Sequence, residues 1–131
     1  MIACFTILGD PRTKGNSGVI VLTKRGRRKL LPSPKYRAWL KGALWQAIVI
    51  RAQTGINKPI EERCTVSATF YRTRLCGDED NHKKALGDYL QAARIVANDR
   101  LIHWGEVRIE RDKVRPRIDV RIESEGADHV K

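Results

Sequence analysis

The sequence has no long apolar run, few cysteines and almost no acidic residues in its first half. No stretch of about 18 apolar residues is present, which argues against a membrane span. The first residues, MIACFTILGDPRTKG, lack a basic segment followed by an apolar one, so no signal peptide is predicted. We therefore expect a cytoplasmic protein with no membrane partner.

Three cysteines, Cys4, Cys64 and Cys76, lie far apart and form no Cys-x-x-Cys pair. This spacing argues against a disulfide framework and against a structural zinc site. The three histidines show no metal-ligand spacing either. The expected state of the cysteines is therefore reduced and mostly buried.

The length allows one compact domain. With 131 residues, of which 41% are hydrophobic, the chain can bury a core but is too short for two domains. We expect a single domain over residues 1–131. The polar end of the sequence, from about residue 124 to residue 131, is expected to be frayed.

Charge divides the chain into two unlike parts. Residues 1–60 contain twelve Lys or Arg and one acid, Asp10, for a net charge of +11, whereas residues 61–131 contain fourteen of each, for a net charge of zero. Lysines and arginines that neutralise phosphates gain affinity by releasing counterions, so this excess suits a polyanionic partner. The densest segment is KRGRRK, residues 24–29, where Gly26 marks a turn. A solvated basic loop explains this segment equally well.

Apolar periodicity predicts the first elements. IACFTIL and VIVLT are predicted strands, and RCTVSATFYRT alternates with period two, which predicts a strand over residues 63–73. A helix is predicted between Ser33, which can cap it, and Gly55, which lies just past its end. The buried stripe of this helix comprises Tyr36, Trp39, Leu40, Ala43, Leu44, Ala47 and Ile50.

A second helix is predicted from about Asp80 to Ile95. Two later β-prone runs, LIHWGEVRIER and RPRIDVRIES, stand on either side of DKV, which predicts a closing hairpin. The predicted order is ββαβαββ. This order favours an α+β fold, in which two principal helices pack on a mainly antiparallel or mixed sheet. The second helix is expected to bury Leu86, Tyr89, Leu90 and Ala93.

Three acids, Asp78, Glu79 and Asp80, stand where a strand gives way to the second helix. On a helical wheel Asp80, Lys84 and Asp88 lie opposite the apolar residues, so core packing does not require them. A helix N-terminus stabilises acids through its free N–H groups and its dipole. Lys84 and Asp88 could also form an exposed ion pair worth about 0.3–0.5 kcal/mol. Helix capping and ion pairing are therefore open explanations of these residues.

A further acid, Asp99, precedes the next predicted strand in VANDRLIHW. If packing brings Asp99 beside Asp78 and Asp80, the three carboxylates repel one another and raise each other's pKa unless a cation holds them. Hard oxygen ligands in that number suit Mg²⁺ or Mn²⁺. The basic half of the chain would then hold a nucleic-acid backbone, and the acids would hold the metal that acts on it.

The segment DEDNHKKALGDYLQAARIVANDRLI, residues 78–102, resembles the signature of the RusA-type Holliday-junction resolvases. In that signature Asp-x-Asp-Asn opens a helix that carries a Lys and then Asp-x-Leu, and a later Asp precedes an apolar residue. GDPRTKGNSG and PSPKYRAW also resemble the early loop of the family and the segment leading into its first helix. The signature positions are filled here by Asp78, Asp80, Asn81, Lys84, Asp88, Leu90, Asp99 and Ile102.

The resemblance implies a homodimeric Mg²⁺-dependent endonuclease, with Mn²⁺ as a substitute, that binds four-way DNA junctions and makes paired symmetric cuts. It implies metal ligation by Asp78, Asp80 and Asp99. Lys84 would act on the phosphate or on the attacking water. Such proteins are often carried by phages and prophages, which implies a bacterial or phage-infected host cell.

The family often has two adjacent Asp where this chain has Asn98 and Asp99, so the ligand is placed at Asp99. Supporting roles are expected for Asn81, Asp88 and Asn98. DNA contacts are expected from the early loop, the basic segment and the residues that precede the acids: Lys14, Asn16, Lys24, Arg25, Arg27, Arg28, Arg72 and Arg74.

Three alternatives remain open at this level. One is a less selective nuclease that cuts flaps or other branched DNA. Another is a nucleic-acid-binding protein without catalysis, in which the acids are caps and ion pairs; that alternative predicts that Asp99 lies far from Asp78 and Asp80. The third is a module that binds acidic proteins through the basic half, which leaves the carboxylates unexplained.

Overall fold

A computed structural model of the protein describes residues 2–13, 19–22, 24–31 and 33–125. Within these residues the chain folds into one α+β domain, as the apolar pattern predicts, with two principal helices and a mixed sheet of four strands. The elements are β1 (Ala3–Leu8), β2 (Val19–Leu22), β3 (Arg28–Leu31), α1 (Pro34–Thr54), β4 (Cys64–Arg72), α2 (Glu79–Ala92), a 3₁₀ helix (Asp99–Leu101), β5 (Ile102–Arg111) and β6 (Arg117–Ser124).

The main sheet has the strand order β1-β6-β4-β5. Its pairs are antiparallel except for β4 and β5, which run parallel and are joined through α2. Along β4 buried and half-buried residues alternate without interruption, which confirms the predicted strand and its apolar face. The helices pack on that face, with α1 against β1 and α2 against β5. The core therefore lies between one face of the sheet and the two helices.

The predicted closing hairpin is wrong. β5 and β6 do not pair with each other, because both pair with β4, which lies between them. The loop that joins them crosses the end of β4, where the Asp112 N–H donates to the Arg72 carbonyl oxygen at 2.8 Å. A short loop with turn residues suits a hairpin and such a crossing equally, so its composition does not reveal which strand lies between its ends.

Helix α1 begins and ends where its sequence signals indicate. Ser33 Oγ accepts the Tyr36 N–H at 3.2 Å, Pro34 occupies the first turn, and Gly55 closes the helix in the left-handed conformation. Most of the predicted stripe is buried, while Leu40 and Leu44 are partly buried at its edge. The two helices are joined by the Tyr89 hydroxyl, which donates to the Ala43 carbonyl oxygen at 2.9 Å.

Helix α2 ends earlier than the sequence predicts. The expected end was Ile95, but Ala93 is the C-cap and Arg94 has a φ of 60°, which breaks the helical path. The amides of Ile95 and Val96 then both donate to the Leu90 carbonyl oxygen. The four residues expected to be buried on this helix, Leu86, Tyr89, Leu90 and Ala93, are all in the core.

The basic segment forms the turn of a hairpin of which the sequence predicts only one strand. β2 pairs antiparallel with β3, a strand that was not predicted, so the element order is βββαβαββ. Gly26 lies in the turn with a φ of +76°, a conformation that glycine adopts without strain. The predicted turn at Gly26 is therefore confirmed.

The cysteines are less buried than expected. Cys64 lies in the core of β4, where burial raises the pKa of its thiol to about 11. Cys4 and Cys76 are exposed free thiols, so the prediction of mostly buried cysteines is wrong for two of the three. Cys4 is exposed because it alternates with the buried residues of β1 and points to the sheet face that the helices leave open.

Within the described ranges no helix has the length and apolar character needed to cross a membrane. Ser124 still pairs with Cys64 in the sheet. The rest of the expected frayed end, residues 126–131, lies outside the described residues.

Candidate active site

A surface depression of about 380 Å³ lies beside α2, and we call it the α2 depression. Side chains from one face of α2, from the 3₁₀ helix and from β5 meet there. It is lined by Asp80, Lys83, Lys84, Gly87, Asp99 and Trp104. The structure thus brings together three of the four residues predicted to be catalytic, Asp80, Lys84 and Asp99. The explanation by caps and ion pairs predicts that Asp99 lies far from Asp78 and Asp80; Asp99 shares this depression with Asp80 but not with Asp78.

Asp80 and Asp99 reach the depression from different elements. Asp80 lies in the first turn of α2, and Asp99 opens the 3₁₀ helix that follows it. The Asp99 backbone is held by Gln91 of α2, whose Oε1 accepts the Asp99 N–H at 3.1 Å. A Cβ at Gly87 would lie 3.8 Å from the Asp99 Cβ. Gly87 lies seven residues after Asp80, about 10 Å along the helix axis, so Asp80 lines the depression from the first turn of α2 and Asp99 packs beside its middle.

Asp78 acts as the N-cap of α2. Its Oδ1 accepts the Asn81 N–H at 2.7 Å, as the capping explanation expects. Its neighbour Glu79 pairs with Lys83 at 3.4 Å across one turn of the helix. Asp78 is exposed, and it is not among the residues that line the α2 depression.

The two adjacent lysines of the depression differ in their partners. Lys83 Nζ is engaged by Glu79. Lys84, one turn after Asp80, is exposed and has no hydrogen-bond or ion-pair partner within the described part of the chain. Lys84 is therefore the lysine whose charge is available to an anion in the depression.

Three residues of the depression, Lys83, Gly87 and Trp104, were missed by sequence reasoning. Gly87 is buried, and a Cβ there would lie 3.6 Å from Trp104 Cζ2, so the absence of a side chain lets β5 and the 3₁₀ helix approach α2 closely. A glycine inside a helical pattern was the available signal. Trp104 is half-buried on β5, and the alternation of that strand alone does not distinguish it from a core residue.

Arg72 and His82 form a buried polar pair beneath the loop that leads into α2, with exposed fractions of 5% and 0%. Arg72 Nη1 donates to the Cys76 carbonyl oxygen at 2.8 Å and lies 3.2 Å from His82 Nε2. His82 Nδ1 lies 2.6 Å from the Asp78 carbonyl oxygen. Burial lowers the pKa of His82, and the nearby Arg72 charge lowers it further, against the opposing effect of the hydrogen bond to Asp78.

This burial changes the interpretation of Arg72, which was expected to contact DNA. Its guanidinium is committed to Cys76 and His82 beneath the loop, so little of it remains for a phosphate. Arg74 is exposed on the same loop, at a position compatible with a DNA contact. His82 was not singled out in the sequence, because a single histidine on a helix carries no signal of its own.

The other expected DNA contacts lie in the basic half. Lys24, Arg25, Arg27 and Arg28 are exposed at the hairpin turn. Lys14 and Asn16 lie outside the described residues. The loop that leads to them is anchored at the end of β4: Asp10 accepts the Thr73 N–H at 3.0 Å and the Thr73 hydroxyl at 2.9 Å, and it pairs with Arg12 at 3.0 Å.

The residues expected to have supporting roles hold different positions. Asn81 supplies the N–H that Asp78 caps, and Asn98 caps the 3₁₀ helix by accepting the Arg100 N–H at 2.9 Å. Asp88 does not line the depression, and its charge acts instead on Tyr36 of α1. Together with burial, the larger effect, it raises the pKa of Tyr36 to about 12.

The donors of the depression suit a hard cation. The residues described by the structure contain no group of three or more His, Cys, Asp or Glu close enough to hold a metal ion. Two carboxylates nevertheless line one depression, and Mg²⁺ commonly binds through one or two carboxylates while it keeps waters and takes substrate phosphate oxygens. The donor set therefore fits a Mg²⁺ ion that keeps waters and binds phosphate better than it fits a metal ion whose ligands all come from the protein.

Comparison with known proteins identifies the family. A search of curated proteins found no significant match. The model of the family described as endodeoxyribonuclease RusA matches residues 9–123, nearly the whole chain, including the α2 depression and the basic hairpin. The chain therefore belongs to the RusA family of endodeoxyribonucleases, the family that resolves Holliday junctions.

Proposed function

We propose that the protein is a metal-dependent resolvase that cuts four-way DNA junctions at paired, symmetric phosphodiester bonds. The observation that carries the proposal is the α2 depression, where Asp80, Asp99 and Lys84 come together from separate elements. Family membership supports the substrate class, and the basic excess of residues 1–60 supports binding to a nucleic-acid backbone.

The metal would be held by Asp80 and Asp99, with Asp78, the N-cap residue two positions before Asp80, as the third carboxylate of the proposal. Asp78 uses Oδ1 for the helix cap, and its other oxygen, Oδ2, is not part of that hydrogen bond. A bound Mg²⁺ or Mn²⁺ supplies Lewis acidity to a phosphate oxygen and lowers the pKa of water. Cleavage of this type leaves 5′-phosphate and 3′-hydroxyl ends.

The remaining groups of the depression act on the substrate. Lys84 attracts the scissile phosphate and offsets the charge that develops on its oxygens during in-line attack. The first turn of α2 adds the positive end of its dipole at the same place. Trp104 forms an apolar wall of the depression and excludes water from one side of it.

The basic turn, Lys24, Arg25, Arg27 and Arg28, would supply sequence-independent binding. Its four charges are exposed together, so each side chain that touches a phosphate contributes to the salt dependence of affinity. Replacing all four by Gln should weaken junction binding and make the slope of log K against log salt shallower by about one for each phosphate no longer neutralised. An unchanged slope, measured by fluorescence anisotropy between about 50 and 200 mM salt, would exclude this turn as a DNA-binding element.

A homodimer suits the substrate. A four-way junction has approximate two-fold symmetry, so a two-fold dimer presents two equivalent depressions to two strands of like polarity. The two-fold symmetry of such a dimer would be sufficient to produce paired cuts.

The test is cleavage of a labelled four-way junction beside duplex, flap and single-stranded DNA, with Mg²⁺, with Mn²⁺ or with EDTA. We expect symmetric nicks restricted to the junction and abolished by the chelator. Cuts in flaps at a comparable rate would favour the less selective branched-DNA nuclease. Tight binding without cutting under either metal would overturn the catalytic proposal and favour a binding protein in which the acids are structural.

A further inference from the structure

We infer that Arg72 and His82 are positioning residues, which together hold residues 76–80 so that Asp78 and Asp80 leave the start of α2 in a fixed direction. The inference rests on the proposed function in one respect, namely that these acids serve the reaction. Its geometric part concerns the chain alone and can be tested without DNA or metal.

The hydrogen-bond partners determine the proton positions of the pair. A guanidinium can only donate, so His82 Nε2 accepts from Arg72 Nη1, and a carbonyl oxygen can only accept, so His82 Nδ1 donates to Asp78. The imidazole is therefore neutral with its proton on Nδ1. A continuous chain of donors runs from the end of β4 through His82 to the N-cap residue of α2.

The same guanidinium also fixes the preceding part of the loop. Arg72 Nη1 donates to the Cys76 carbonyl oxygen at 2.8 Å. Two backbone carbonyls, two residues apart in the sequence, are thus held by one buried pair. Since the backbone orientation at Asp78 sets where the first turn of α2 begins, the pair determines the direction of the acids that follow.

Packing around the imidazole leaves it little freedom. Phe70 of β4 meets the His82 ring edge-on, with 4.9 Å between the ring centroids. On the other side a Cβ at Gly77 would lie only 2.8 Å from His82 Cε1 and 3.3 Å from Arg72 Nη1. The close approach of the Gly77 backbone, at a φ of +85°, clamps the ring between β4 and the loop.

Well-packed apolar residues of similar volume are often at least as stabilising as buried charged groups. Instead the chain buries an arginine whose Nε has no hydrogen-bond partner among the described residues, a costly choice within a core. Burial of a charged group that is incompletely satisfied is expected where direction, rather than packing alone, is required. The incompletely satisfied arginine therefore supports a role of Arg72 and His82 in aligning the site.

The first measurement is a long-range ¹H–¹⁵N correlation spectrum of the ¹⁵N-labelled, metal-free protein. Loss of one imidazole signal set in His82→Gln assigns His82 among the three histidines. We expect the Nδ1-protonated tautomer for His82. An Nε2-protonated or rapidly exchanging imidazole would overturn the inference, whatever the protein does to DNA.

The second measurement separates positioning from mere stability. His82→Leu removes both hydrogen bonds at similar size, whereas the amide of His82→Gln can still accept on one side and donate on the other. For His82→Leu we expect a fall of about 10- to 100-fold in the single-turnover cleavage rate per folded molecule, or in apparent Mg²⁺ affinity. Junction Kd should be unchanged, and His82→Gln should recover most of the loss.

The matched control is His103→Leu, an exposed histidine of β5, which should change neither quantity. If His82→Leu lowers only the melting temperature while its folded fraction cuts at the wild-type rate, the pair is structural and the inference fails. If wild type itself cuts no junction under any metal, the proposed function fails. The tautomer of His82 still decides whether Arg72 and His82 hold residues 76–80.

Discussion

The two helices begin with first turns of opposite charge. α1 is capped by Ser33, and its first turn contains Lys35 but no acid, whereas α2 is capped by Asp78 and continues with Glu79 and Asp80. One capping oxygen is enough to start a stable 21-residue helix even with an unfavourable cation beside it. The acids of α2 therefore exceed what helix initiation requires. Of the two further carboxylates, Glu79 pairs with Lys83 and Asp80 lines the α2 depression.

The strongest test of this comparison is Asp80→Asn. We expect the junction cleavage rate to fall by about 10²- to 10³-fold, because the depression loses a metal-binding carboxylate at unchanged shape. Junction binding should remain intact or become slightly tighter, since the basic surface is unchanged and repulsion of phosphate decreases. Single-turnover cleavage and anisotropy measure the two quantities.

Glu79→Gln is the control for this variant, because Glu79 has the same charge one position earlier but pairs with Lys83. It should retain cleavage. Equal losses in both variants would mean that the charge of the helix start, rather than a specific carboxylate, supports activity. If Asp80→Asn fails to fold, the result would instead support the explanation that these acids stabilise the start of α2.

Asp78→Ser separates the cap of α2 from a second use of the same carboxylate. Serine caps as well as aspartate, so the free energy of unfolding should change by only a few tenths of a kcal/mol, whereas Asp78→Ala should cost about 1 kcal/mol. Cleavage should fall in both variants if the carboxylate binds metal. Wild-type cleavage by Asp78→Ser would reduce the metal ligands supplied by the chain to Asp80 and Asp99.

Ser33→Ala tests the cap of the other helix. The Tyr36 N–H would lose its acceptor, and we expect the free energy of unfolding to fall by about 1 kcal/mol, measured by urea denaturation. The cleavage rate per folded molecule should not change. A loss of cleavage well beyond the loss of folded protein would show that α1 contributes to the site.

The smallest expected effect is that of Lys35→Glu, which gives the first turn of α1 an acid. At low salt the dipole interaction should raise the free energy of unfolding by about 0.3–1 kcal/mol. Lys41→Glu, the same change in the middle of the helix, should produce no such gain. Equal gains in both variants would point to the high net charge of the chain rather than to the helix dipole.

The sequence was most informative where the prediction depends only on neighbouring residues, as in strand alternation and helix capping. The alternation of β4, the caps of α1 and the buried residues of α2 were predicted because each depends on local spacing. The pairing partner of β5 was not predicted, because strand pairing depends on tertiary structure. The residue alternation of β5 would be the same beside β4 as in a hairpin with β6. The same limit applied to the strand β3, four residues long, which follows directly on a basic turn.

The candidate site divides in a similar way. Asp80, Lys84 and Asp99 could be proposed from type and spacing, since carboxylates around a helix start are visible in the sequence. Trp104 and His82 could not, because their roles depend on which strand lies beside α2 and on a backbone that approaches at Gly77. Arg72 was expected to contact DNA because it is a basic residue that precedes the acids, although strand alternation places it on the buried face of β4.

The central position of β6 has a consequence for the order in which the protein assembles during synthesis. Among the strands that the structure describes, β1 is joined to β4 in the main sheet only through β6. More than 110 residues separate the register partners Ala3 and Ile122. A nascent chain that has emerged only as far as β5 can form the β4–α2–β5 unit, but its first strand has no neighbour in the sheet. Contacts of such long sequence separation are slow to form. Completion of the fold thus awaits β6, and a ribosome stalled before Arg117 would hold a chain with an unpaired edge at β4.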